Sequence, residues 1–394
     1  MLPLCVLVSF AAAALAHDIP NSPLNASVID GVLHVAGQPP RAIPYLFSAL
    51  NPVISSLWGS LSPPWVNETL TNANSSTMSF LRLTRGAWLA DEALNLSVRQ
   101  LVLVLDDVDV APAATFPPFR GLIEINGTSH TGVVSPGGPA AARIVCADAA
   151  VSPAAVAATD SSQVIVDGLF IFGCGGTEGG AVHLQGRPGS WSPTAMGGQV
   201  SNNNITNSSR AIWTETISNV MVVNNQIYNN HGHAIDFDAF STSCVCTGNT
   251  VAGNAAREGV FVEQGAKNIV VVNNVIGPGN GNGIGVYNNN MNLTCGPHVI
   301  AGNRIFDNIN AGIAVGSTAP RSGAPDVGVV VVGNILHGNG AVKAQGYHTN
   351  GAQIGTVYVA NANADGISLF TQRMAGAANI SIFDPMNRET PLKY

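Results

Sequence analysis

The chain has 394 residues, 46% of them hydrophobic and only 10% charged, with a formal net charge of −7 at pH 7. That length and apolar content suffice for one large core. No Lys/Arg cluster occurs, which argues against nucleic acid as a partner, and the low charge suits strands that are mostly interior or stacked.

Residues 1–16 read as a secretory signal: an apolar run from Leu2 to Leu15 ends in the small-x-small pattern Ala14-Leu15-Ala16. The run is too short to cross a bilayer comfortably, so the expectation is a secreted protein, extracellular or in a cell wall, with no membrane span after cleavage. Nine Asn-x-Ser/Thr sequons, at Asn25, Asn67, Asn74, Asn95, Asn126, Asn204, Asn207, Asn292 and Asn379, fit a glycoprotein. Cys5 leaves with the signal, and the five remaining cysteines are Cys146, Cys174, Cys244, Cys246 and Cys295. An odd count leaves at least one free thiol. A bridge from Cys174 to Cys146, or one involving Cys295, stays open, whereas Cys244 and Cys246 occupy strand places and read as core fillers. Residues 17–75 are rich in Pro, Ser and Asn and read as an N-terminal cap. Residues 341–394 read as the last coils and a C-terminal cap, because bare terminal edges invite aggregation.

Between the caps, residues 76–340 are predicted to be strand and turn only. Leu101–Leu105 looks like an opening coil, and residues 161–171 like a later one. From Asn225 to Asn339 one phrase recurs five times: VVNNQIYNN, CTGNTVAGN, VVNNVIGPGN, IAGNRIFDN and VVGNILHGN. Its leading asparagines, Asn225, Asn249, Asn274, Asn303 and Asn334, are spaced by 24, 25, 29 and 31 residues. Apolar residues alternate within each repeat, as in Gly259-Val260-Phe261-Val262-Glu263, and that is strand periodicity. One such coil cannot bury its own apolar face, whereas stacked coils can, with about 4.8 Å per rung. Asparagines at equivalent turns would then stack as a hydrogen-bonded ladder. These Asn phrases and the strands before them resemble the right-handed parallel β-helix of the pectate-lyase-like superfamily. The resemblance is clear over residues 160–340 and implies an all-β, single-domain solenoid.

Aligning the first strand of each coil gives two inward columns. They are Val182, Ile212, Ile235, Val260, Ile284, Ile313 and Leu184, Thr214, Phe237, Val262, Val286, Val315. The residues between must face outward. One outward column reads His183, Trp213, Asp236, Phe261, Gly285, Ala314; the next reads Gln185, Glu215, Asp238, Glu263, Tyr287, Gly316. Carboxylates on consecutive rungs would sit about 5 Å apart, and like charges directly opposite are unfavourable. Three arrangements relieve this. A cation such as Ca²⁺ could bind, one carboxyl could keep its proton, or Arg210, Arg257 and Lys267 could reach in from flanking turns. His231 and His233 end the turn before Asp236, and Trp213, Phe261 and Tyr287 stand beside the acids like a sugar platform. A solvated acidic face, or cover by a loop such as 186–200, is the plain alternative.

The resemblance implies action on an extracellular, anionic polysaccharide by lyase-type β-elimination, with no organic cofactor. Carried onto this chain, Glu215, Asp238 and Glu263 would hold Ca²⁺, and Lys267, Arg257 or His233 would be the base. Asp236 and Asp238 are the carboxylates expected at the reacting centre, with Trp213, Phe261, Tyr287 and His183 against the sugar. A glycoside hydrolase or transglycosidase would use a carboxylate pair from the same columns. The Asn-Thr-Asp, Gly-His-Gly and Arg-Ile-Lys motifs of polygalacturonases are absent, as is the Asp-Pro-His-Asp motif of mannuronan epimerases. A uronate epimerase and a non-catalytic binding solenoid complete the readings; oligomeric state is left open.

Overall fold

The computed structural model describes side chains between residues 110 and 340, apart from 112–120, 130, 136–137, 147–152, 176–178, 256, 288–294 and 316–327, and elsewhere only the backbone of strands. The signal segment and most of the expected caps lie outside the described residues. Within residues 17–75 three short strands, Ala26–Ile29, Val32–Val35 and Arg41–Ala42, pair antiparallel with one another.

From Ser79 onward the described strands wind as a parallel solenoid. One coil runs through Ile235–Phe237, Val245–Thr247 and Thr250–Ala252, and the next starts at Val260–Glu263. The first strand of each coil joins an 11-stranded parallel sheet, and the other two join a 21-stranded one, so three strand faces surround the core. The strands Tyr347–Asn350, Val357–Val359 and Ser381–Phe383 continue the same stacking past residue 340. Both inward columns are fully or almost fully buried. The expected alignment is the observed register: His183 pairs with Trp213, Trp213 with Asp236, Asp236 with Phe261, and Phe261 with Gly285.

Two asparagine ladders hold the corners. In the first, each amide donates to the next: Asn203 to Asn225, Asn225 to Asn249, Asn249 to Asn274, Asn274 to Asn303 and Asn303 to Asn334, all at 2.9–3.0 Å. The same side-chain oxygen also accepts the backbone N–H of the preceding rung, as Asn249 does from Asn225 at 2.9 Å. The second ladder runs Asn230, Asn254, Asn280, Asn308, Asn339. At its N-terminal end Ser208 takes over the place, its N–H donating to Asn230 Oδ1 and its Oγ accepting from Cys174 N, and there the Cys146–Cys174 disulfide closes the corner. Cys244 and Cys246 are free thiols buried as core fillers, and Cys295 is buried with its Sγ 3.3 Å from His298 Nε2. Burial pushes the Cys244 and Cys246 thiols up, to about 12 for Cys244, so these two are inert.

The residue before each ladder asparagine turns the chain with positive φ. Asn202, Asn224, Gly248, Asn273, Gly302 and Gly333 all lie between 56° and 69°. Only Gly and Asn adopt this region cheaply, which is why the recurring phrase reads Asn-Asn or Gly-Asn.

Candidate functional site

The 11-stranded sheet carries three outward columns where two were expected. Ahead of each first strand stands a row of small residues, Ala181, Ala211, Ala234, Gly259, Gly283 and Gly312. The chain bends there, and the residue before each small one turns outward. That third column reads Gly180, Arg210, His233, Glu258, Asn282, Ala311. Backbone bonds from Ala211 to His233, Ala234 to Glu258 and Gly259 to Asn282 hold it in parallel register with the other two.

Asp236 is the centre of this face. Its side chain is 0% exposed, and neither carboxylate oxygen accepts a hydrogen bond among the described residues. Arg210 Nη1, 3.5 Å from Oδ2, is the cation beside it. The same guanidinium lies over the Trp213 ring at 4.4 Å, and His183 stacks on that ring at 4.1 Å. Asp238 accepts from Ala239 N at 2.6 Å and from Trp213 Nε1 at 3.2 Å. Facing oxygens of Asp236, Asp238 and Glu263 lie within 4.8 Å of one another. Burial, then the Asp238 charge, pushes Asp236 well above the usual carboxylate range, against the pull of Arg210. Asp238 is raised as well, first by burial and then by Glu215, although its backbone hydrogen bond opposes this.

Glu215 was expected among the cation ligands and is drawn elsewhere: it accepts from Gln185 at 2.9 Å and meets His183 Nε2 at 3.2 Å. Asp236 takes its place in the cluster. The strand ends at Phe237, and the chain turns at once, with Ser241 N bonding back to Asp238 O. That turn gathers two acids that a continued strand would hold apart. Arg257 and Lys267 are exposed and make no ion pair among the described residues, so the cation at the acids is Arg210. Phe261 is only 6% exposed, beneath His233 at 4.4 Å and beside Tyr287 at 5.8 Å, so it supports the site and is not an open platform. Trp213 and Tyr287 remain half-buried, and His231 is exposed, bonded to Asn207.

Sequence reasoning missed Glu258. Its Oε2 lies 2.9 Å from His233 Nδ1, off the angle of a formed hydrogen bond, and its Oε1 accepts from Asn282 at 3.0 Å. Burial alone would raise the Glu258 carboxyl; His233 and Asn282 outweigh it and hold the group below its ordinary range. The signal was present as an Arg, His, Glu, Asn series two residues ahead of each inward apolar residue. Read from sequence alone, Arg210 and His233 fall in turns and the next strand opens at Gly259, so Glu258 falls outside the outward columns.

A cation fits the cluster. Calcium takes oxygen ligands at 2.3–2.6 Å, so donors on opposite sides of one ion are about 5 Å apart, and the Asp236 oxygens accept no hydrogen bond among the described residues.

Residues 162–296 match the family described as the right-handed β-helix region. Three solved structures share the fold at low identity. The A-module of mannuronan C-5 epimerase AlgE4 from Azotobacter vinelandii is 16% identical with a TM-score of 0.55, over 73% of this chain and 72% of that one. The Dettilon tailspike protein is 14% identical with a TM-score of 0.50, over 78% and 61%. ORF18 of Geobacillus virus E2 is 8% identical with a TM-score of 0.53, over 74% and 55%. The present chain therefore spans less than two thirds of the length of the latter two proteins. No curated protein sequence matches the chain. The described strands form a right-handed parallel β-helix, the fold that these three structures share.

Proposed function

We propose that this protein is a secreted carbohydrate-active enzyme that cleaves an anionic extracellular polysaccharide by β-elimination on the three-column face. The observation that carries this reading is the Asp236/Asp238/Glu263 cluster, with a fully buried carboxylate whose oxygens accept no hydrogen bond among the described residues, set beside the His233–Glu258 pair.

Asp236, Asp238 and Glu263 would hold Ca²⁺, which when bound supplies positive charge to neutralise a uronate carboxylate. Arg210, fixed over Trp213, adds a second positive charge at the same place. Glu258 faces His233 Nδ1 and favours the tautomer that leaves Nε2 to accept a proton. His233 Nε2 takes the proton at C5, α to the neutralised carboxylate. The electron pair forms the C4–C5 double bond, and the glycosidic C4–O bond breaks. The leaving oxygen then takes up a proton. Stacking of the His233 ring on Phe261 fixes its plane during the transfer.

A second reading has its own support. The upward shifts of Asp236 and Asp238 suit a carboxyl that keeps its proton and donates it to a glycosidic oxygen, with an ionised neighbour as partner. The test is a panel of polyuronates and sulfated polysaccharides, followed at once by ultraviolet absorbance of the unsaturated product and by reducing ends. Both signals rising together, and both lost in EDTA, support elimination. Reducing ends without absorbance replace it with hydrolysis, and silence in both sinks the cleavage reading.

A further inference from the structure

Residues 186–194 leave the end of the strand Gly180–Gln185 as a short loop whose apolar tip, Trp191, is 75% exposed. A single exposed apolar side chain is ordinary on a protein surface. This one is distinguished by its mount and its place. The loop base is pinned on both sides: Gly186 N bonds Glu215 O at 2.8 Å, and Thr194 N bonds Thr216 O at 3.0 Å. Arg187 N donates to Thr194 Oγ1 at 2.5 Å across the neck, and the Arg187 guanidinium pairs with Asp160 of the previous rung at 3.1 Å. Ser190 N bonds Arg187 O, and Ser190 Oγ bonds Ser192 O, so the turn carrying Trp191 is itself closed.

The place is the edge of the acid column. Trp191 meets Phe240 edge to face at 5.8 Å, and Phe240 lies two residues after Asp238. Phe240 has φ of 61°, a left-handed conformation that a bulky residue adopts at a cost. Its backbone is fixed there by bonds from Phe240 N to Gln264 O and from Thr242 Oγ1 to Phe240 O. A strained aromatic thus buttresses an exposed one beside the rungs that carry Glu215 and Asp238.

We propose that Trp191, backed by Phe240, is a sugar-binding subsite that stacks on a pyranose ring of the bound chain next to the one being cleaved. This rests on the reading of the face as a polysaccharide site. The indole, 75% exposed, offers an apolar face whose N–H has no hydrogen-bond partner among the described residues, with Ser190 and Ser192 on either side in sequence. Such a subsite engages only chains long enough to pass the acid cluster and reach the loop.

The test compares wild type with W191A and W191F in native gels cast with polygalacturonate, alginate or a sulfated polysaccharide, and in turnover of oligouronides of increasing length. The expected result is that a polysaccharide retards the wild type, that W191A loses most of that retardation, and that W191F keeps it. In turnover, W191A should raise KM by about tenfold for long oligomers and far less for the shortest cleaved one, since a tenfold loss is about 1.4 kcal/mol, within the range of an aromatic contact. Equal retardation of wild type and W191A overturns the subsite, as does a KM rise that ignores chain length. Absence of retardation of wild type by every gel also overturns it. Retardation that depends on Trp191 without turnover keeps the subsite and rejects the catalytic reading, so the two fail separately.

Discussion

Changing Asp238 to Asn separates a working face from a structural one. The carboxylate accepts two hydrogen bonds, from Ala239 N at 2.6 Å and from Trp213 Nε1 at 3.2 Å. An amide has one accepting oxygen, so Asp238→Asn loses one of them and turns an N–H toward a donor. In a buried place that costs about 1–3 kcal/mol. Against it stands the removal of one charge from a cluster where burial and Glu215 already disfavour ionisation. The two effects oppose, so the folded state should survive with a melting shift of a few degrees, using roughly 2–4 °C per kcal/mol as a guide. Activity should not survive. Loss of a positioned acid–base or ligand carboxylate removes about 10²–10⁴ in rate. The assay is turnover of the polysaccharide that wild type cleaves, with circular dichroism melting on the same preparations. A folded Asp238→Asn protein with near-wild-type turnover would refute the assignment. An unfolded one would show that the column serves the fold.

Other perturbations test neighbouring parts. Asn249→Ala removes the acceptor for Asn225 N and Asn225 Nδ2 and the donor to Val222 O and Asn274 Oδ1, so it should cost about 3–5 kcal/mol in urea unfolding. Folded Asp236 holds a proton that the unfolded chain releases near pH 4, so it binds more protons when folded. In EDTA the wild type should therefore lose stability relative to Asp236→Asn as pH rises above about 4 and level off once Asp236 is ionised; melting points across pH check this. Cys146→Ser should cost about 3–4 kcal/mol, the loop-closure value for the 28-residue separation, and the wild type should show the same loss in reductant.

The fold was legible because one corner writes itself into the sequence. A positive-φ residue followed by a buried amide leaves Asn-Asn or Gly-Asn at every turn, and strand alternation supplies the register. The coil before Asn225 was harder to read, since Ser208 replaces the second ladder asparagine and a disulfide replaces the next rung. The two acid-bearing columns followed from alternation alone. Alternation failed where the chain bends: strands read as starting after the Ala/Gly row left Glu258 out of the outward columns, and at the turn after Phe237 alternation put Asp236 and Asp238 in separate columns. Side-chain reach was beyond it too. Arg257 and Lys267 are near the acids in sequence and stay in solvent, and Glu215 is taken by His183 and Gln185.

The most direct test of the account is a calcium titration of turnover, using protein stripped with EDTA, for wild type and Glu263→Gln. The account predicts that stripped wild type is inactive, that turnover returns as Ca²⁺ is restored, and that Glu263→Gln needs at least about tenfold more Ca²⁺ for the same recovery. Full turnover by the stripped wild type, or an unchanged calcium requirement in Glu263→Gln, would contradict it.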